Sequence, residues 1–158
     1  MNPYAVLEYG HKTLLRTLEA VPDADWEGGV VGRWSLKDVL AHLASFELVL
    51  TEVLGSLLEP GTPTPTLREM GAQTDFNDRQ VALRRDRTAP EVLAEYEAHH
   101  HQALDLARQL PGAAFRQTGI LPWYGPDYDL EDYLVYTFYG HKREHAAQIA
   151  LYRKRVAG

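Results

Sequence analysis

Apolar residues recur at helical spacing along almost the whole chain, and this periodicity is the feature that most restricts the fold. The first of these stripes consists of Tyr4, Leu7, His11, Leu14 and Leu18. Steps of three and four residues place such side chains on one face of a helix. Similar stripes recur in three later segments, and no segment shows sustained strand alternation. The pattern therefore predicts an all-α fold.

Capping signals locate the starts of the three later long helices. Ser35, Thr88 and Asp129 are good N-cap residues, and an acidic residue stands three positions after each of them. That spacing allows the acid to satisfy free amide groups and to face the positive end of the helix dipole. The basic run at residues 153–155 suits the carboxyl end of the last helix. Each of these three helices thus has a capping signal that is independent of its apolar stripe.

Proline and glycine mark the connections between the helices. Pro22 ends the first helix, and the glycine-rich residues 27–33 are predicted to form a loop in which Val30 and Val31 are too short to count as a strand. The proline-rich residues 60–66 are predicted to be a long, non-helical connection. A shorter helical piece is expected at residues 75–84, and residues 112–128 are loop-rich. We therefore expect an up-and-down four-helix bundle that forms one domain over residues 1–158.

Composition excludes several classes of function. The 158 residues carry a net charge of −6, which argues against a chain that mainly binds nucleic acid or an anionic membrane. The chain has no cysteine, so disulfides, thiolate metal sites and cysteine nucleophiles are excluded. No apolar run approaches the roughly 18 residues of a membrane-spanning helix, and the first residues do not resemble a signal peptide. We therefore expect a cytoplasmic protein.

Histidine is the residue type that carries chemical information. His141 and His145 are four residues apart on the apolar stripe of the last predicted helix. Two imidazoles at this spacing stand one turn apart on one face and can bind the same metal ion. His42 flanks the stripe of the second long helix and is the natural third ligand. The alternative that these are unrelated core histidines stays open at this point.

Other readings of the histidines are weaker. Residues 141–145 fit the H-x-x-E-H pattern of inverted zincins, but that pattern needs a downstream carboxylate ligand and no acid follows His145. Glu144 is therefore expected to be a surface or supporting acid. Residues 99–101 are three consecutive histidines, which point in different directions and cannot chelate together. His100 and His11 lie on inner faces and are expected to be polar partners of a ligand imidazole.

Aromatic residues are either pocket walls or ordinary packing. The candidates for a pocket are Trp34, Trp123, Tyr124, Tyr128 and Tyr139. Tyr133 and Tyr136 lie on the last helix but are predicted to be off its inner stripe. The sequence contains no glycine-rich phosphate-binding motif, so nucleotide cofactors have no support.

Three motifs carry a resemblance to a known family. They are Gly32-Arg-Trp34-Ser35-Leu-Lys-Asp38-Val-Leu-Ala-His42-Leu, Asp75-Phe76-Asn77, and Gly140-His141-Lys-Arg-Glu-His145-Ala-Ala-Gln148-Ile. In order and spacing they resemble the DinB-like (YfiT-like) superfamily, and the similarity extends over essentially the whole chain. The tryptophan–serine start of the second helix and the late histidine pair are specific mainly in combination.

The resemblance implies a four-helix bundle that holds a divalent metal, zinc or nickel, through His42, His141 and His145. It also implies a homodimer. Members are described as metal-dependent hydrolases, and several branches are S-transferases that use a low-molecular-weight thiol such as bacillithiol or mycothiol. Another branch resembles colibactin self-resistance proteins. We expect metal affinity to fall as pH drops through about 6.5, because a ligand imidazole must be neutral.

These observations lead to three hypotheses. The first is a metal-dependent thiol S-transferase or hydrolase that acts on a small electrophilic substrate, without nucleic-acid or membrane partners. The second is a non-enzymatic stress or self-resistance protein that binds a small molecule. The third is a structural dimer in which the metal only joins helices. The residues alone assign no catalytic group.

Overall fold

The computed structural model describes residues 2–158, apart from the side chain of Val30. Its helices, in chain order, are α1 (Pro3–Glu19), α2 (Asp25–Gly28), α3 (Leu36–Leu58), α4 (Pro65–Ala72), α5 (Phe76–Leu83), α6 (Ala89–Gln109), α7 (Leu130–Tyr133) and α8 (Gly140–Ala157). A π-helical segment, Leu134–Tyr139, joins α7 to α8, and a 3-10 turn spans Gly112–Arg116. Two short antiparallel strands, β1 (Val30–Val31) and β2 (Trp34–Ser35), precede α3. The all-α prediction is confirmed.

The predicted caps are present with the expected hydrogen bonds. The backbone N–H of Asp38 donates to Ser35 Oγ at 3.0 Å, and the Ser35 N–H donates back to the Asp38 carboxylate at 3.1 Å. Thr88 and Asp129 form equivalent boxes at the starts of α6 and α7. These reciprocal bonds satisfy amides that a helix cannot pair internally.

The order of the helices around the bundle differs from a simple up-and-down arrangement. The principal neighbour of α1 is α8 together with the π segment, and the principal neighbour of α3 is α6. Weaker contacts join α1 to α6 and α3 to α8, whereas a simple up-and-down bundle would place α1 beside α3 and α6 beside α8. The connections over residues 20–35 and 110–129 are long enough to cross the end of the bundle. The chain therefore places its last helix between α1 and α3.

The core combines the predicted stripes of the four long helices. Its largest fully buried side chains are Leu7, Leu14, Leu36, Leu40, Leu43, Leu50, Leu54, Tyr96, Leu130, Leu134, Phe138 and Ile149. Tyr133 is also buried, so its predicted position off the inner stripe was wrong, whereas Tyr136 is exposed as expected. Tyr133 lies three residues after the buried Leu130 and precedes the π-helical stretch, so ordinary helical phase places it at the edge of the inner face.

Two predicted loops contain regular structure. Pro65 and Thr66 are predicted to lie in a non-helical connection, but they form the start of α4. Proline is tolerated in the first turn of a helix because the backbone N–H groups of that turn have no partner within the helix. The carboxylate of Glu52 on α3 accepts the backbone N–H groups of Thr66 and Leu67 at 3.1 and 2.9 Å. Residues 27–33, predicted as loop, contain the end of α2 and the β1 hairpin strand. A cap supplied by a distant helix leaves no local sequence signal.

The apolar character of α3 results from its central position. By length and composition this helix could cross a membrane, with a mean hydropathy of 1.4 over its most apolar window. However, 72% of that window is buried inside the protein. Its hydropathy is therefore that of a core helix packed on all sides.

Candidate metal centre

Three imidazoles converge between α3 and α8. The Nε2 atom of His141 lies 2.9 Å from Nε2 of His42 and 2.9 Å from Nε2 of His145. The candidate ligand atoms of all three lie within 4.8 Å of one another. The structure thus brings together the three histidines that the sequence selected, with α8 supplying two of them one turn apart.

The donor set fits a single divalent ion. Nitrogens 2.9 Å apart can both bind one ion, because zinc–nitrogen bonds are about 2.0–2.1 Å long and two of them span up to about 4 Å. Nδ1 of His145 lies 2.9 Å from Oε1 of Gln148. Since an amide oxygen only accepts, this contact fixes the proton on Nδ1 and leaves the Nε2 lone pair directed at the cluster. Gln148 therefore holds the His145 ring with its Nε2 atom facing His141.

Burial keeps the cluster neutral. Desolvation, followed by the neighbouring His141 and His145 rings, lowers the pKa of His42 to about 3. Desolvation and the charges of His145 and Lys142 lower the pKa of His141 to about 4. Desolvation also lowers the pKa of His145, although Gln148 opposes that change. Neutral imidazoles are the form that binds metal, so the loss of metal affinity on acidification is expected at a lower pH than the value of about 6.5 expected from the sequence.

Aromatic side chains surround the imidazoles. The ring centroid of Phe46 lies 4.8 Å from that of His42 and 4.6 Å from that of His141. The Trp34 ring lies 5.0 Å from the His42 ring, and its Nε1–H donates to Asp78 at 3.3 Å. Trp34 was predicted as a pocket wall and does lie at the site. No feature of the sequence distinguishes Phe46 from the rest of its stripe.

The other predicted pocket aromatics lie away from the imidazoles. Trp123 and Tyr124 pack against Tyr133, with ring centroids 5.3 and 4.9 Å apart. The Tyr128 ring in turn packs against Tyr124. These contacts anchor the loop after α6 to the last helix. Tyr124 and Tyr128 thus form loop packing, the alternative left open above, whereas Trp123 also lines a surface cavity with Leu67 and Met70 and is to that extent a pocket wall as predicted.

His11 and His100 do not support the imidazole cluster. Their rings stack on each other at 3.8 Å, and His11 Nδ1 lies 3.1 Å from the hydroxyl of Tyr96. His100 Nδ1 instead faces Glu47 and Lys142. The expectation that His11 or His100 is a polar partner of a ligand imidazole was therefore wrong, because their polar partners are Tyr96, Glu47 and Lys142. Glu144 is exposed, in agreement with a surface acid.

Sequence reasoning missed two buried charges, Glu47 and Lys142. Their side chains are 0% and 2% exposed, and they form an ion pair. A signal was available, because Lys142 follows the buried Phe138 by four residues and Glu47 follows the buried Leu43 by four. Helical phase alone would have placed both inside the bundle.

Fold and site together define a class: a helical bundle that carries a three-histidine group of metal-binding geometry on two of its helices. The family model of the DinB superfamily matches residues 7–149. The chain belongs to the DinB superfamily. No curated protein and no solved structure matches it.

Proposed function

We propose that His42, His141 and His145 hold one divalent metal ion, zinc or nickel, and that this ion is the functional centre of the protein. The observation that carries the proposal is the convergence of the three Nε2 atoms, two pairs of which are 2.9 Å apart. Three protein ligands leave a position for water or substrate, which is typical of a catalytic rather than a structural site. A purely structural metal would be expected to have four protein ligands.

When bound, such a metal supplies an activated water or binds a thiol as thiolate. The residues of the chain provide the setting for this chemistry. Gln148 holds the His145 ring, while Trp34 and Phe46 offer apolar surface beside the imidazoles. Because the chain has no cysteine, a thiol nucleophile has to be a low-molecular-weight thiol, and metal-bound water is the alternative nucleophile. We propose a metal-dependent S-transferase or hydrolase that acts on a small electrophile.

The activity is tested with protein purified without a histidine tag and loaded with zinc or nickel. A set of low-molecular-weight thiols is incubated with model electrophiles, and conjugates and hydrolysis products are measured by mass spectrometry. We expect product formation that needs the metal and is lost in His145→Ala. His101→Ala is the matched control, because this histidine is exposed and lies outside the cluster. Equal rates for the loaded protein and for His145→Ala would contradict the proposal.

The second candidate is a non-enzymatic stress or self-resistance protein that sequesters a small molecule. It is favoured by the surroundings of the cluster. Among the described residues 2–158, the side chain from outside the cluster that hydrogen-bonds to one of the three imidazoles is Gln148. Its amide is neither an acid nor a base and cannot transfer a proton in catalysis. Binding of a small electrophile without turnover would support it. We also propose that the protein acts in the cytoplasm as a homodimer, which sedimentation at micromolar concentration tests.

A further inference from the structure

A second polar cluster lies beside the imidazoles. Lys142 Nζ contacts Oε1 of Glu47, and His100 Nδ1 lies 3.6 Å from Oε2 of Glu47 and 3.5 Å from Lys142 Nζ. The ammonium group of Lys142 faces the ring of Tyr96, with Nζ 5.5 Å from the ring centroid. Glu47 and Lys142 are essentially fully buried. An ion pair is thus enclosed in the centre of the bundle.

The pair connects the two helices that carry the histidine group. Glu47 follows His42 on α3 by five residues, a rise of about 7.5 Å, and Lys142 is the residue after His141 on α8. The main packing partner of α3 is α6 and that of α8 is α1, so direct packing between α3 and α8 is slight. Among the side-chain polar contacts described for residues 2–158, α3 and α8 are joined by His42–His141 and by Glu47–Lys142.

Stability does not account for this pair. Desolvation of two buried charges generally offsets their attraction, and apolar replacements of similar volume are often neutral or stabilising. Burial alone would raise the pKa of Glu47, but the Lys142 charge and the contact with His100 outweigh it and lower the pKa to about 2. Glu47 is therefore ionised, and its charge holds Lys142 in one place. What such a pair provides is a fixed register between its two helices.

We propose that the Glu47–Lys142 ion pair sets the spacing of α3 and α8, so that His42 faces His141 and His145 before any metal binds. Glu47 and Lys142 are positioning residues that act through the three imidazoles. The inference rests on the proposed metal function. It adds to that function a reason why charged residues occupy the core next to the site.

The test replaces the pair by apolar residues of similar size, Glu47→Leu with Lys142→Met. We expect the double variant to keep its helical circular dichroism and its resistance to urea, and to bind Zn²⁺ at least 10-fold more weakly than the unchanged protein. We also expect its Co²⁺ complex to have a shifted visible absorption spectrum, because the ligand geometry changes. A merely structural role would lower urea resistance and leave the spectrum of the folded fraction unchanged.

The matched control is Arg84→Met with Glu95→Leu. That pair is also largely buried, with 2.7 Å between Arg84 Nη2 and Glu95 Oε1, but it involves α6 and the end of α5. We expect its removal to leave Zn²⁺ affinity and the Co²⁺ spectrum unchanged. If the Glu47/Lys142 double variant does not fold, Glu47→Asp shortens the carboxylate and keeps its charge, and we expect about 10-fold weaker Zn²⁺ binding.

The outcomes separate the two proposals. Unchanged Zn²⁺ affinity and Co²⁺ spectrum in the folded double variant, or in Glu47→Asp where the double variant is unfolded, would overturn the positioning role and leave the metal site intact. Failure of the unchanged protein to bind either ion would overturn the metal function itself, and the positioning role with it. Weaker binding with a shifted spectrum, absent from the Arg84/Glu95 control, supports the proposal.

Discussion

The metal-free protein is expected to lose stability as the pH falls below 6.5, and His42 provides the clearest test. The pKa of its imidazole is about 3 in the folded protein and about 6.5 in the unfolded chain. Between these values the unfolded state binds the additional proton, so the free energy of unfolding rises with pH and falls on acidification. Between pH 7 and pH 5, His42 alone is expected to lower it by about 2 kcal/mol.

The measurement is urea unfolding followed by circular dichroism, with a chelator present, at pH 7 and pH 5. His42→Gln lacks the titrating ring. The decrease in the free energy of unfolding between pH 7 and pH 5 should therefore be about 2 kcal/mol smaller in this variant than in the unchanged protein. His101→Gln serves as the control, because His101 is exposed and its replacement should leave the difference unchanged. If His42→Gln loses as much stability as the unchanged protein, His42 is not the buried neutral group described above.

Four further variants test the site and the fold. His145→Ala should abolish metal binding in a calorimetric titration while the circular dichroism spectrum persists; stoichiometric binding would remove His145 from the ligand set. Gln148→Leu removes the acceptor for His145 Nδ1 and should weaken Zn²⁺ binding about 10- to 100-fold, whereas an unchanged constant would show that this hydrogen bond does not orient the ring. Leu54→Ala deletes a fully buried side chain and should cost about 2–5 kcal/mol in urea unfolding; a loss under 1 kcal/mol would refute its place in the core. Thr88→Ala removes the cap of α6 and should cost about 0.5–2 kcal/mol in the same assay, and no loss would contradict the capping box.

The parts of this fold that could be predicted from sequence depend on local rules. The capping boxes at Ser35, Thr88 and Asp129 need only residues three positions apart, and the structure contains all three. The pairing of His141 with His145 follows from helical phase alone. Phase also placed His42 beside the core, which made it the natural third ligand, and the resemblance to the DinB-like superfamily separately selected the same residue.

The parts that could not be predicted depend on contacts between distant segments. The first turn of α4 is capped by Glu52 of another helix, so the proline-rich sequence around Pro65 appeared to be a plain connection. Helical phase would have placed Glu47 and Lys142 inside the bundle, but their pairing could not be predicted, because a charged residue is rarely buried without a partner and each partner lies on another helix.

The most direct test of the central claim is the metal content of protein purified without a histidine tag, measured by elemental analysis after dialysis against buffer that contains zinc or nickel. We expect one ion per chain in the unchanged protein and a loss of stoichiometric metal in each of His42→Ala, His141→Ala and His145→Ala, with His101→Ala unaffected. Absence of metal from the unchanged protein, or one ion per chain in all three alanine variants, would contradict this central claim.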